Sequence, residues 1–254
     1  MKLIVCENRE ATGARLAETL AEAISENPRL RLCLSAGKTS LHAYEALVQR
    51  YHEQGGFTFR YLTVFATDEY VGVPPEDHRS TRYLLNYHLF RQVDMPREQT
   101  FIPRGDVTDI EAECRVWDNM IDARGGLDLV VLGLGHNGHV GLNEPGSTAK
   151  SRMRVVSLTP STLASMSDGL RFKNLAETPP KAITLGMAQI LAARRVLLIA
   201  TGLGKIDALH KMMEGRSGPS VPASLLIDHP DLTVYADRDA ASGLDDALVA
   251  ESVG

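Results

Sequence analysis

Cysteine is scarce in this 254-residue chain: Cys6, Cys33 and Cys114 are odd in number and far apart. That spacing argues against a disulfide framework or a cysteine-built metal knot. Cys6 and Cys33 lie in apolar, strand-like runs, where buried free thiols are the better reading. Basic runs are also missing and the net charge is −5, so the electropositive stripe that nucleic acid requires is not expected. A small anionic ligand remains admissible, because it responds to nearby lysines and arginines more than to the global sum. The opening MKLIVCENRE turns polar too soon for a signal peptide or a membrane span, and a cytoplasmic location is expected. No repeat of about 20 to 50 residues recurs, which excludes solenoid and propeller arrays.

What is present is an ordinary soluble composition, 44% apolar and 23% charged, in a length that suits one α/β domain. Short apolar runs alternate with segments of helical period. Leu3 to Cys6, Leu30 to Leu34, Tyr61 to Thr67, Leu129 to Leu132, Arg154 to Leu158, Arg195 to Ala200 and Leu232 to Ala236 read as strands. Helices are predicted between them, at Ala11–Glu26, Leu41–Gln54, Thr81–Arg91, Ile110–Ala123 and Ile206–Met213. Such alternation means a mostly parallel sheet with right-handed crossovers and helices on both faces. The loops after the strands then converge on one edge. Thr159 to Pro180 has no single period and carries Pro160, Gly169, Pro179 and Pro180, which suits a mobile helical lid over about 160–180. The acidic, alanine-rich end from Asp237 onward is expected to be poorly ordered.

Three of the converging loops carry chemistry. SAGKTS (Ser35 to Ser40) follows a strand and opens a helix, so its amides and the helix dipole form a cradle for phosphate, with Lys38 and Thr39 adding charge and a hydroxyl. It is not a nucleotide P-loop, which would need glycine where Leu32 stands. ATDEYVG sets Asp68 and Glu69 just after a strand, where a carboxylate either caps a helix or acts as a general base. GLGHNGHVGLNEP contains G-x-G-x-x-G at Gly133, Gly135 and Gly138, but Asn143 and Pro145 break the helix that a dinucleotide site requires. No acidic residue lies near Ser157 to bind a ribose. His136, His139 and Glu144 have the chemistry of metal ligands, although three donors on a short loop are weak grounds for zinc. TGLGK at Thr201 to Lys205 repeats the anion-binding logic, and Arg171 in the lid could close over the same group.

Together these blocks resemble the glucosamine-6-phosphate deaminase family, within the wider group of sugar-phosphate isomerases and lactonases, from about Leu32 to Tyr235. The resemblance rests on TDEYVG, NGHVGLNEPG, the P-x-x-A-I-T-L-G stretch at Pro179 to Gly186, and TGLGK. It implies a Rossmann-like three-layer α/β sandwich with a mostly parallel sheet and a helical lid, forming one domain over 1–254. It implies Asp68 as the base moving a proton between C2 and C1, and His139 as the ring-opening acid/base. Glu144 becomes its electrostatic partner, and Gly37, Lys38, Thr39, Arg171 and Lys205 the grip on the phosphate. No metal or organic cofactor is implied, and the partner is a small amino-sugar phosphate, not a nucleic acid or a membrane; a homo-oligomer is allowed for. Asn137 stands where well-studied members carry an aspartate, Lys38 replaces a small residue, and Val156 replaces the lysine of allosterically activated members.

GGLDLVVLGLG and VPASLL (Val221 to Leu226) are similar to the galactosamine-6-phosphate branch as well, so the epimer stays open. A sugar-phosphate lactonase or aldose–ketose isomerase on the same scaffold, distinguished by assaying ammonia against acid release, is one alternative. A non-catalytic sugar-phosphate sensor is another; it would tolerate change at Asp68 and His139.

Overall fold

The computed structural model describes residues 1–167, 171–213 and 217–245. In chain order the first half comprises β1 (Lys2–Cys6), α1 (Arg9–Glu26), β2 (Arg31–Leu34), α2 (Lys38–Gln54), β3 (Thr63–Ala66) and β4 (Asp68–Tyr70). Then come α3 (Thr81–His88), β5 (Thr100–Phe101), α4 (Ile110–Ala123), β6 (Leu129–Gly133), β7 (Arg154–Ser157) and α5 (Pro160–Met166). The chain closes with β8 (Lys181–Thr184), α6 (Met187–Leu191), β9 (Arg195–Ala200), α7 (Ile206–Met213), β10 (Leu232–Asp237) and α8 (Arg238–Ala241). Seven strands form one sheet in the order β1-β10-β9-β6-β2-β3-β5, and all of its pairings are parallel.

Side-chain alternation builds the three layers. Leu32, Leu34, Leu129, Val131, Leu197 and Ile199 point to one face, where they pack with Leu16, Leu20 and Ile24 of α1 and Tyr44 and Leu47 of α2. Their neighbours Cys33, Val130, Leu132, Val196 and Leu198 point to the other, against Trp117 and Ile121 of α4 and Leu209 and Met212 of α7. A central strand buried on both faces must be apolar at every position, which is why these runs were readable without a period. The three cysteines are free thiols, with Cys33 and Cys114 buried.

A second sheet of three strands, β4-β8-β7, lies apart from the first and is antiparallel. The sequence pattern predicts a single strand over Tyr61 to Thr67 with Asp68 just after it. The chain instead leaves the main sheet at Ala66, and Asp68 pairs with Thr184. This small sheet is covered by Tyr70, Leu142, Leu158 and Phe172.

Among its described residues the lid holds α5 and a 3-10 turn at Leu175–Glu177. Gly169 falls outside the described residues. Phe172 is fully buried, its ring edge-on to Tyr70 at 5.3 Å, so the segment is pinned at that residue. The chain end also corrects the expectation. Asp237 ends β10, is buried, and caps α8 by accepting from Ala240 N at 2.8 Å. Residues 246–254 of the tail lie outside the described residues.

Candidate active site

From β2 the chain moves outward to β3 and β5, then returns to place β6 on the other side of β2. Loops leaving adjacent β2 and β6 therefore diverge, and a crevice opens at the strands' carboxyl ends. A cavity of about 560 Å³ occupies it. Its wall includes Ser35 to Ser40 after β2, Asp68, Gly133 to His136 and His139 after β6, Thr201 to Lys205 after β9, and Arg171. Residues separated by more than a hundred positions thus meet at one place.

One end of the cavity gathers a helix start and basic side chains. Helix α2 begins at Lys38 behind Gly37 with no side-chain cap, so the leading amides and the dipole of a 17-residue helix are directed at the crevice. Thr39 and Thr201 touch through their hydroxyls at 3.4 Å, joining the two anion loops. Asp237 holds the second loop by accepting from Gly202 N at 2.9 Å. Burial pushes the Lys205 ammonium down to about 8. The Arg171 guanidinium lies 4.4 Å over the Tyr70 ring and donates to Arg79 O at 2.7 Å and to Thr81 Oγ1 at 3.0 Å.

The adjacent carboxylates divide their work. Glu69 turns from the cavity and accepts from the amides of Tyr70, Thr81 and Arg82 at 2.9, 3.0 and 3.2 Å, satisfying the start of α3. Asp68 faces the cavity, accepting from Thr67 Oγ1 at 2.5 Å and Thr81 Oγ1 at 3.4 Å. Burial raises its pKa, opposed by the Thr67 hydrogen bond and the Arg171 charge. The result is a more basic carboxylate kept beside a cation.

His139 is the other reactive group on the wall. Its Nδ1 lies 2.8 Å from Asn137 Oδ1 and 3.7 Å from Glu144 Oε2. An amide oxygen can only accept, so Nδ1 carries the hydrogen and Nε2 keeps a free lone pair. Asn137 uses its other end to donate from Nδ2 to Glu144 Oε2 at 2.7 Å, so the amide bridges imidazole and carboxylate. Desolvation pushes the imidazole down to about 4; the Glu144 charge opposes this, while the Lys205 and His136 charges add to it. The ring lies flat against Gly135, where a Cβ would stand 2.4 Å from Nε2. Gly138 adopts φ 82° two residues before Val140, a left-handed turn that brings the loop back on itself.

Asp68, His139, Gly37, Lys38, Thr39, Arg171 and Lys205 all line the cavity, whereas Asn137 and Glu144 stand behind His139 and do not form part of its wall. Lys38 is exposed at the rim. Asn143, another polar residue of the same loop, is structural: its Nδ2 donates to Val140 O and Leu185 O, at 3.1 and 2.7 Å. Among the described residues no cluster of three His, Cys, Asp or Glu side chains is placed to hold a metal ion. Sequence reasoning missed Arg9, on the first turn of α1, and Thr162, in the lid helix, both on the wall. Arg9 follows β1 directly, so the rule that placed the other loops at the sheet edge could have found it.

Fold and site together define an α/β protein with a cavity at its sheet edge that is lined by a carboxylate, an imidazole and the uncapped start of a helix. Residues 7–235 match the family of glucosamine-6-phosphate isomerases and 6-phosphogluconolactonases, and the chain belongs to that family. It is 40% identical to a glucosamine-6-phosphate deaminase of Geobacillus sp. over 95% of each chain. Glucosamine-6-phosphate deaminase 1 of Bacillus subtilis is 37% identical, with 95% of this chain and 99% of that one covered. A solved monomeric glucosamine-6-phosphate deaminase superposes with a TM-score of 0.92 at 36% identity, covering 96% of this chain and all of that one. The 6-phosphogluconolactonase of Trypanosoma brucei shares the fold, with a TM-score of 0.76 at 19% identity.

Proposed function

We propose that the chain converts glucosamine 6-phosphate and water to fructose 6-phosphate and ammonia. The observation that carries this reading is the joint placement of Asp68 and His139 on one cavity whose far end is an uncapped helix start beside Lys205 and Arg171. The relatives that are 36–40% identical are named for glucosamine, which favours it over the galactosamine epimer.

The phosphate sits on the amides of Gly37 to Thr39 with Lys205 and Arg171, which fixes the sugar at its sixth carbon. His139 Nε2 takes the proton of the anomeric hydroxyl and returns one to the ring oxygen, opening the pyranose to an aldehyde. Asp68 removes the proton on C2; the electron pair forms a C1–C2 double bond as the C1=O π bond breaks onto O1, which takes a proton from water, giving an enolamine. Asp68 then delivers the proton to C1, leaving an imine at C2. Water adds there, and ammonia departs. The carbonyl and amine on neighbouring carbons delocalise the charge, so the steps need no cofactor. Acid–base help of this kind is worth roughly 10²–10⁴ in rate. Asn137 and Glu144 act through His139 as positioning residues.

Asp68→Asn removes the base and keeps the shape. It should abolish ammonia release while glucosamine 6-phosphate still binds, seen by calorimetry. Full turnover in that variant, or acid release from 6-phosphogluconolactone by the wild type in place of ammonia release, would overturn the reading. Parallel assays on the glucosamine and galactosamine phosphates test the epimer.

A further inference from the structure

Behind His139 lies a hydrogen-bond shell that the reaction steps do not use, and much of it belongs to the lid. Glu144 is 6% exposed and needs donors for its charge. Asn137 Nδ2 supplies one. Thr159 supplies the others, its amide donating to Oε1 at 3.1 Å and its hydroxyl to Oε2 at 3.2 Å. Thr159 is also the N-cap of α5, accepting from Thr162 N at 3.4 Å. One turn further, Thr162 places its hydroxyl 3.3 Å from His139 Nδ1, 3.4 Å from Asn137 Nδ2 and 3.2 Å from Thr159 Oγ1. Thr162 is 3% exposed, yet it also lines the cavity. A hydroxyl buried at that spot contacts both the imidazole and the amide that orients it.

Each link has a physical consequence. With the first turn of α5 seated, Glu144 is satisfied by Thr159 and Asn137, and Asn137 Oδ1 remains turned toward Nδ1. Without it, Glu144 keeps one donor, and the nearest compensation is His139 itself, 3.7 Å away. Asn137 would then lose three hydroxyl neighbours, those of Thr159, Ser161 and Thr162. Its amide would then be held only by Glu144 on one side and the His139 backbone and ring on the other, so Oδ1 would be less firmly fixed on Nδ1 and the Nδ1–H form less strictly selected.

We infer that Thr159 and Thr162 are positioning residues for ring opening: seating the first lid turn on Glu144 fixes the Nδ1–H form of His139 with Nε2 free. This rests on the deaminase reading for its substrate, but not for the state of the imidazole. The ring-opening acid/base is therefore assembled by the same turn that closes one side of the cavity.

Thr162→Val is isosteric and removes only the hydroxyl; Thr162→Ser restores it without the methyl. With glucosamine 6-phosphate, the valine variant should lose about tenfold in kcat, with KM unchanged, and the serine variant should recover most of the loss. An open-chain amino-alditol phosphate has no ring to open and should bind all three proteins equally. Nitrogen NMR of the imidazole should show Nδ1–H in the wild type and a mixture in the valine variant. Wild-type kcat in the valine variant would overturn the inference, as would a loss that serine does not recover. So would an Nε2–H imidazole in the unmutated protein, a result that needs no variant to fold. A wild type that releases no ammonia would sink the proposed function and leave the NMR to decide this inference.

Discussion

At Gly135 the missing side chain is what lets an imidazole lie against backbone, since a Cβ would stand 2.4 Å from two atoms of the His139 ring. Gly135→Ala should push the ring off its line to the substrate and lower kcat at least tenfold (~1.4 kcal/mol of barrier), while circular dichroism stays native. Asn137 is the next control point. A neutral imidazole exists only above its pKa, and burial has driven that value down to about 4. Asn137→Asp puts a carboxylate against Nδ1–H, favours the cation, and should move the acid limb of kcat/KM to higher pH. Superimposable pH profiles would refute this. Lys205 sets the opposite limb. Held down to about 8 by burial, it loses its charge as pH rises through that value, so KM should climb above pH 8 while kcat holds. Lys205→Arg, charged throughout, should flatten the climb.

Elements of few residues carry much of the site, and they were the hardest to read from sequence. Central β6 and β9 announce themselves as apolar runs buried on two faces, and Arg195–Ala200 was found to the residue. Strand β4 is Asp-Glu-Tyr, too short and too polar for any pattern, and its antiparallel partner β8 lies more than a hundred residues away. The candidate residues in glycine-rich loops were legible because loop chemistry is local. The places of Thr159, Thr162 and Arg9 at the site were not, because a threonine before a helix reads only as a cap and an arginine on a helix as solvated charge. Asp237 shows the same limit, for its partners Gly202 and Ala240 are brought to it by the fold. Asp237→Ala should loosen the TGLGK loop and raise KM, with a loss of about 1–2 kcal/mol in urea unfolding. Phe172, the lid residue fully buried against the small sheet, should cost about 3–5 kcal/mol when cut to alanine.

Across the whole molecule, the amino ends of β2 and β6 are tied opposite the cavity. Asp128 accepts from Arg31 N, Nε and NH2 at 2.9, 2.8 and 2.6 Å. The Arg31 hydrogen bond holds the Asp128 carboxyl below its usual range. A depressed carboxyl contributes stability that is complete above its unfolded value, about 3.9, and lost as pH falls through the lower folded one. Urea unfolding from pH 7 downward should therefore show Asp128→Asn already weakened at neutrality and less sensitive to acid than the wild type. The two sheets carry a different implication. Asp68 rides on the three-stranded one, while the proposed phosphate loops after β2 and β9 and the loop bearing His139 hang from the seven-stranded one, with Arg171 stacked on Tyr70 of the smaller sheet. On the proposed reaction, most of the anchor and the base therefore stand on separate frames, so remodelling the smaller frame could re-aim the proton transfer along a bound sugar while its tether stays put, and enzymes for other sugars could diverge from this chassis by that route.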